Sequence, residues 1–122
     1  MVDIEQDEDR ERRIADEIVV DAYNEEEQAL GWYYYLEERL AFPFRATCIS
    51  ERSISPLERG EVVEVTGLAS ENDCMHEMFV QVSWHKRAFG VPLAQIQGVS
   101  VDDRTREAIE DWHYWVARGY QF

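Results

Sequence analysis

At 122 residues and 14.4 kDa the chain has room for one modest hydrophobic core, and its apolar fraction of 45% suits a folded globule. Asp and Glu number 26 against 12 Lys and Arg, a formal charge of −14, so phosphate backbones and anionic headgroups are repelled while cations are attracted. No apolar run reaches the roughly 18 residues of a membrane helix, the charged start MVDIEQDEDRERR is no secretory signal, and two cysteines make no disulfide framework. The expectation is a cytoplasmic protein that binds neither nucleic acid nor membrane.

One domain is expected over residues 1–122, with residues 1–8 flexible. From Asp9 to Leu40 the pattern is helical. Ile14, Ala15, Ile18, Val19 and Ala22 share a face, while Glu8 with Arg12 and Asp9 with Arg13 can pair at i, i+4. A break is predicted near Tyr23-Asn24, because Asn24 with Glu27 has the form of a capping box. The second helix turns Ala29, Tyr33, Leu36 and Leu40 inward and ends before Phe42-Pro43.

Short strands follow at Phe44–Ile49, Val62–Leu68, Met78–Trp84 and Ala88–Val91, rich in β-branched and aromatic residues. Leu57 to Val63 reads as a diverging turn, and Pro92 to Ile96 as one tight helical turn before a last strand at Gly98-Val99. A final helix runs from Asp102 or Asp103 to about Arg118. Ala108, Ile109, Trp112, Trp115 and Val116 form its apolar face, and Gly119 stops it. The fold class is therefore α+β: a small SH3-like antiparallel β-barrel flanked by two N-terminal helices and one C-terminal helix.

Lys86 is the only lysine, so nearly all the positive charge is arginine, which pairs bidentately with carboxylates. The bases are expected to be committed to structural ion pairs, leaving an exposed acidic surplus. A calcium ion takes about 6–8 oxygen ligands at about 2.3–2.6 Å, so acid clusters without nearby arginine are the candidates. Asp16, Glu17 and Asp21 close the first helix, and Glu25, Glu26 and Glu27 open the second, where acids also serve as ordinary helix-end residues. Glu37 and Glu38 sit beside the negative end of that helix, where carboxylates are unfavourable without a cation. Glu71, Asn72, Asp73 and Glu77 decorate a long inter-strand loop. The two ends of the second helix are about 17 Å apart at 1.5 Å per residue, too far to share one ion. The metal-ligand set is Asp21, Glu26, Glu37, Glu38, Glu71, Asp73 and Glu77, with Ca2+ as the bound ion.

Other chemistries are poorly supported. Asp103, Glu107 and Asp111 line a helix face, but Arg104 and Arg106 relieve their repulsion. An EF-hand is absent: counting from Asp7, Arg12 stands where glycine is required and Ile18 where the bidentate acid is required. Cys48, Cys74, His76, His85 and His113 have no zinc-type spacing, and nothing marks a nucleophile with its base, so no catalytic activity is expected. The runs Trp32 to Tyr35 and Trp112 to Trp115 read as core rather than as base-stacking platforms.

The strings Ile18-Val19-Val20-Asp21-Ala22-Tyr23, Glu25 to Ala29, Gly31 to Leu36 and Phe42-Pro43-Phe44 resemble the small acidic calcium-binding proteins first recognised in filamentous cyanobacteria. Asn72 to Met78 and Glu110 to Trp115 look like later parts of the same pattern, which covers nearly the whole chain from Ile14 onward. The resemblance implies a cytoplasmic protein that binds calcium through surface charge and helps control the free intracellular pool, a role tied to heterocyst formation in the cyanobacterial relatives. It carries over to Asp21, Glu37, Glu38, Asp73 and Glu77, which lie in or beside matching segments. The alternative from another class is an acidic SH3-like interaction module that binds a basic protein or mimics DNA.

Overall fold

The computed structural model describes residues 7–119. Asp7, whose carboxylate accepts the Arg10 amide at 3.0 Å, caps a short helix α1 (Glu8–Arg13). The helix continues as a π-helical segment, Ile14–Ile18, that buries Ile14 and Ile18. Residues 1–6 of the expected flexible start lie outside the described residues.

The chain turns through Asp21 (φ 58°) into α2 (Glu25–Arg39). Here the expected cap is in place: Asn24 accepts the Glu27 amide at 2.8 Å, and the Glu27 carboxylate accepts the Tyr23 amide at 3.0 Å. The reciprocal bond thus reaches one residue further back than in the usual capping box.

Gly31 explains how closely the two N-terminal segments approach. A Cβ at this position would stand 2.2 Å from the Ile18 carbonyl oxygen. Inside a helix, Gly→Ala normally stabilises by about 1 kcal/mol. Gly31→Ala is expected to do the reverse and destabilise by about 1–3 kcal/mol, because backbone must shift to admit the methyl. Urea denaturation measures the sign directly.

Five antiparallel strands follow: β1 (Phe44–Cys48), β2 (Val62–Leu68), β3 (Phe79–Trp84), β4 (Arg87–Pro92) and β5 (Ile96–Val99). Their order is β4-β3-β2-β1-β5. Phe44 lies opposite Val65, Cys48 opposite Ile96 and Val80 opposite Val91. Alternation places Phe44, Ala46 and Cys48 inward and Arg45 outward. The predicted strands therefore exist, but the sheet is open, with β4 and β5 as its edges among the described residues, and does not close as the expected barrel. A single 3-10 turn, Leu93–Gln95, carries the chain from one edge to the other.

The β3–β4 hairpin turns on His85 (φ 50°) and Lys86 (φ 62°). Left-handed backbone at both central positions is the requirement of a type I′ turn, which Asn-Gly meets most easily. Holding His and Lys there costs about 1 kcal/mol or more per residue.

Helix α3 (Asp103–Ala117) is capped by Asp102, which accepts the Thr105 amide at 2.7 Å. It lies against α2 through an aromatic cluster. The fully buried Trp32 ring sits 5.0 Å from Trp112, 5.5 Å from Trp115 and 6.0 Å from Tyr35, all at steep angles. Edge-to-face pairs of this kind add about 0.5–1.5 kcal/mol beyond their buried area. The same cluster is continuous with Val65, Val80, Val82, Val91 and Ile96 of the sheet.

Within that core lies a buried charge. Asp111 is fully buried and bonds Arg13 through both carboxylate oxygens, at 2.6 and 3.1 Å. Arg10 stands 3.2 Å away, and the Tyr35 hydroxyl donates at 2.7 Å. The Arg13 guanidinium is pushed up by that hydrogen bond, and the Tyr35 phenol is pushed up mainly by burial. Of the relief expected along the Asp103–Glu107–Asp111 face, Arg106 supplies its part by pairing with Asp103, whereas Arg104 pairs with Glu38 and Asp111 is answered from α1. The network instead pins α1 to α2 and α3. Not every base is committed, contrary to expectation. Arg12, Arg45, Arg59, Lys86 and Arg87 make no salt bridge among the described residues.

Candidate functional site

The predicted acidic residues separate into groups with different neighbours. Asp21 and Glu26 are exposed at the N-terminal end of α2. Glu37 and Glu38 are both exposed near its C-terminal end but do not act as a pair. Glu38 faces α3, with Arg104 at 4.0 Å. Glu37 faces the loop between β2 and β3.

That loop is tied to α2 by consecutive tyrosines. The Tyr33 hydroxyl donates to the Ala69 carbonyl at 2.7 Å, and the Tyr34 hydroxyl donates to Glu71 Oε1 at 2.7 Å. Both phenols are pushed above their ordinary range. For Tyr33 the first cause is burial, with the charges of Glu37 and Glu71 adding; for Tyr34 it is the Glu71 hydrogen bond, with Glu37 again adding. The two carboxylates therefore act on the same pair of rings, from a helix end and from a loop. This places Glu37 and Glu71 on one surface, a convergence that sequence spacing alone does not reveal.

Asp73 lies two residues further along the loop, at a 3-10 turn, Asn72–Cys74. Its amide bonds the Ser70 carbonyl at 3.0 Å and the Ser70 hydroxyl at 3.3 Å, which leaves the carboxylate exposed. It borders an open groove of about 370 Å³ lined also by Ala69, Phe79, Gln81 and Gly90. Glu37, Glu71 and Asp73 make no salt bridge among the described residues.

Glu77 differs. Arg52 holds both its oxygens, at 2.5 and 3.1 Å, and the pair is half-buried. Its charge is already spent on fixing the far end of the loop. Arg52 as its partner could not be found from spacing, because 25 residues separate them.

Three structural facts bear on the zinc alternative. Among the described residues no three His, Cys, Asp or Glu side chains converge closely enough to hold a metal as they stand. The Cys74 thiol is buried, which pushes its pKa up, and its sulfur accepts the Phe79 amide at 3.4 Å. His113 is largely enclosed, with Nε2 3.3 Å from the Leu93 carbonyl oxygen.

Burial holds the His113 pKa below 6.5, against the opposing pull of the Leu93 and Ile96 carbonyls and the Glu110 charge. The folded state therefore favours the neutral ring. As pH falls below the ordinary histidine value the unfolded chain takes the proton first, and stability is lost toward the lower folded pKa. The pH dependence of thermal stability below about pH 6.5 is expected to flatten in His113→Gln; an unchanged slope would assign it to the carboxylates.

What remains at the α2–loop surface is an all-oxygen donor set: the Glu37, Glu71 and Asp73 carboxylates, the Ser70 hydroxyl, the loop carbonyls and water. Oxygen-only, flexible and negatively charged donors suit a hard cation such as calcium and not zinc. Closing such a set around an ion requires the loop to move.

Comparison with known proteins gives a consistent picture. A family model described as calcium binding, of CcbP type, matches residues 12–116. A solved structure described as the crystal structure of Anabaena CcbP is 43% identical, superposes with a TM-score of 0.88 and covers 100% of both chains. Another, described as a calcium binding protein in the calcium-binding form, is 42% identical with a TM-score of 0.88, again over 100% of both chains. No curated protein matches.

Proposed function

The chain belongs to the CcbP-type calcium-binding family, and from that premise we propose that it binds calcium where the end of α2 meets the β2–β3 loop, with Glu37, Glu71 and Asp73 as its main ligands. The observation that carries this reading is the 2.7 Å Tyr34–Glu71 hydrogen bond, which ties the acidic loop to the end of α2 where Glu37 stands, with no salt bridge to Glu37 or Glu71 among the described residues. Close carboxylates repel by about 1 kcal/mol per pair even in a water-like dielectric. A divalent cation removes that cost and bridges helix to loop.

Asp21, Glu26 and Glu38 belong to a weaker, second tier in this reading: a helix start well separated from Glu37, and a carboxylate partly answered by Arg104. Glu77 positions the loop through Arg52 and does not ligate. Lacking a preformed loop, the site holds calcium at about micromolar affinity or weaker, and salt lowers it. Magnesium competes poorly because it demands stricter octahedral geometry and parts with water reluctantly. Such an affinity and a net charge of −14 suit a buffer of free calcium without catalytic activity.

Calorimetric titration of chelator-treated protein tests the proposal. It should show saturable calcium binding and a rise in melting temperature; at a hundredfold excess over Kd the linkage is about 2.7 kcal/mol. No heat and no rise at millimolar calcium in low salt would refute it.

A further inference from the structure

Part of the positive charge that makes no salt bridge among the described residues stands away from the helical acids, at and near the β3–β4 hairpin. Among the described residues seven of the 12 bases are held in salt bridges, none of which involves a strand residue. Of the remaining five, Lys86 and Arg87 stand at the hairpin itself, and Arg45 lies on the outer sheet face two strands away, since Arg45 pairs Glu64 and Glu64 pairs Ser83.

Arg45 and His85 both line an open groove of about 370 Å³, together with Val62, Glu64, Ser83 and Trp84. Val62 is half exposed, and the Trp84 ring packs edge-on against His85 at 4.4 Å. The groove thus offers cations, an aromatic ring and an aliphatic side chain together. Beside it runs β4, an edge strand whose outer side meets no other strand among the described residues.

Two features argue for a function beyond solubility. The chain keeps a cation, Lys86, and a His at left-handed positions where Asn-Gly would fit without strain. Charges at a sheet edge also deter unwanted pairing, but that purpose requires neither the groove nor the unpaired Arg45.

The geometry points to the β3–β4 hairpin and the β4 edge as a docking surface for an acidic, extended polypeptide segment of a partner protein. The segment adds its backbone to β4 and places carboxylates against Lys86 and Arg87, and its continuation past the end of the hairpin sets an apolar side chain on Val62 and Trp84 with a further carboxylate against Arg45. Charge complementarity selects this occupant. A nucleic acid, with one phosphate per roughly 1.7 Å of duplex, meets the repulsion of the whole molecule and of Glu64 inside the groove. A peptide with spaced carboxylates feels that repulsion far less. The inference is independent of the calcium site.

The test uses the full chain in chelator and low salt, with a fluorescein-labelled peptide alternating Glu and Val. Expected are a saturable anisotropy change, NMR shifts confined to the β4 amides, His85 and Lys86, and loss with added salt. Lys86→Glu/Arg87→Glu should weaken binding about tenfold at unchanged melting temperature, and the milder Lys86→Gln/Arg87→Gln should weaken it less. Arg12→Glu, at an unpaired base on α1, should leave it unchanged. Equal binding by the charge-reversed variant, shifts on the helical acids, or equal binding of a Lys-Val peptide overturns the proposal. Tighter binding of duplex DNA at the same residues, or salt-sensitive self-association through the hairpin without peptide, overturns it in favour of those occupants.

Discussion

Asp111→Ala is expected to destabilise the protein by about 3–5 kcal/mol, because it leaves the Arg13 guanidinium without the partner that accompanies it into the interface. At this size the loss lowers the melting temperature by roughly 10–20 °C, read by near-UV circular dichroism. The effect is large because Asp111 is fully buried and takes both Arg13 bonds, the Tyr35 hydroxyl and the Arg10 charge at once. Breaking a buried pair differs from replacing it. Asp111→Leu combined with Arg13→Met exchanges the ions for apolar volume, and should recover most of the loss. If Asp111→Ala costs under about 1 kcal/mol, the value of an exposed pair, the network is not what pins α1 to the helical pair.

Glu37→Gln/Glu71→Gln is expected to weaken calcium binding by well over tenfold, since ligand charge count sets affinity in oxygen sites. The folded structure should survive, because both side chains are exposed and removing like charges relieves repulsion in the calcium-free protein. Glu77→Gln should behave in the opposite way. It weakens the Arg52 bridge and lowers stability, yet leaves calcium affinity within about threefold, a change of well under 1 kcal/mol. Calorimetry on both variants separates a ligand from a brace. Loss of affinity in Glu77→Gln with none in the double variant would exchange their roles.

Local signals carried most of the architecture. The Asn24 cap, the Asp102 cap, the strands from Phe44, Val62, Met78 and Ala88, and the tight turn after Pro92 all follow from side chains that bond or crowd their own backbone. What spacing could not supply was long-range. Asp111 looked like one more acid on an exposed helix face, because its partners Arg13 and Tyr35 lie 98 and 76 residues away. The close approach of Ile18, at the end of the π-helical segment, depends on Gly31 of the next helix. Barrel closure is not legible in the sequence, because strand count and order do not determine whether edges meet.

The candidate site was legible to the same extent. Charge crowding points to Glu37, Glu71 and Asp73, which make no salt bridge among the described residues, but it also groups Glu37 with Glu38, which the helix turns toward different neighbours. It counted Glu77 as available when Arg52 already holds it. Tyr33 and Tyr34, read as core, turn out to tie the acidic loop to the helix. Adjacent residues on a helix point about 100° apart, so one tyrosine can bury its ring while the next reaches a surface carboxylate.

Residue-resolved NMR during a calcium titration bears most directly on where the ion sits. The first amides to shift should be those of Glu37, residues 69–74 and the Tyr34 neighbourhood, with Asp21 and Glu26 following only at higher calcium. Saturating early shifts at the start of α2, with residues 69–74 silent, would contradict this assignment of the binding surface.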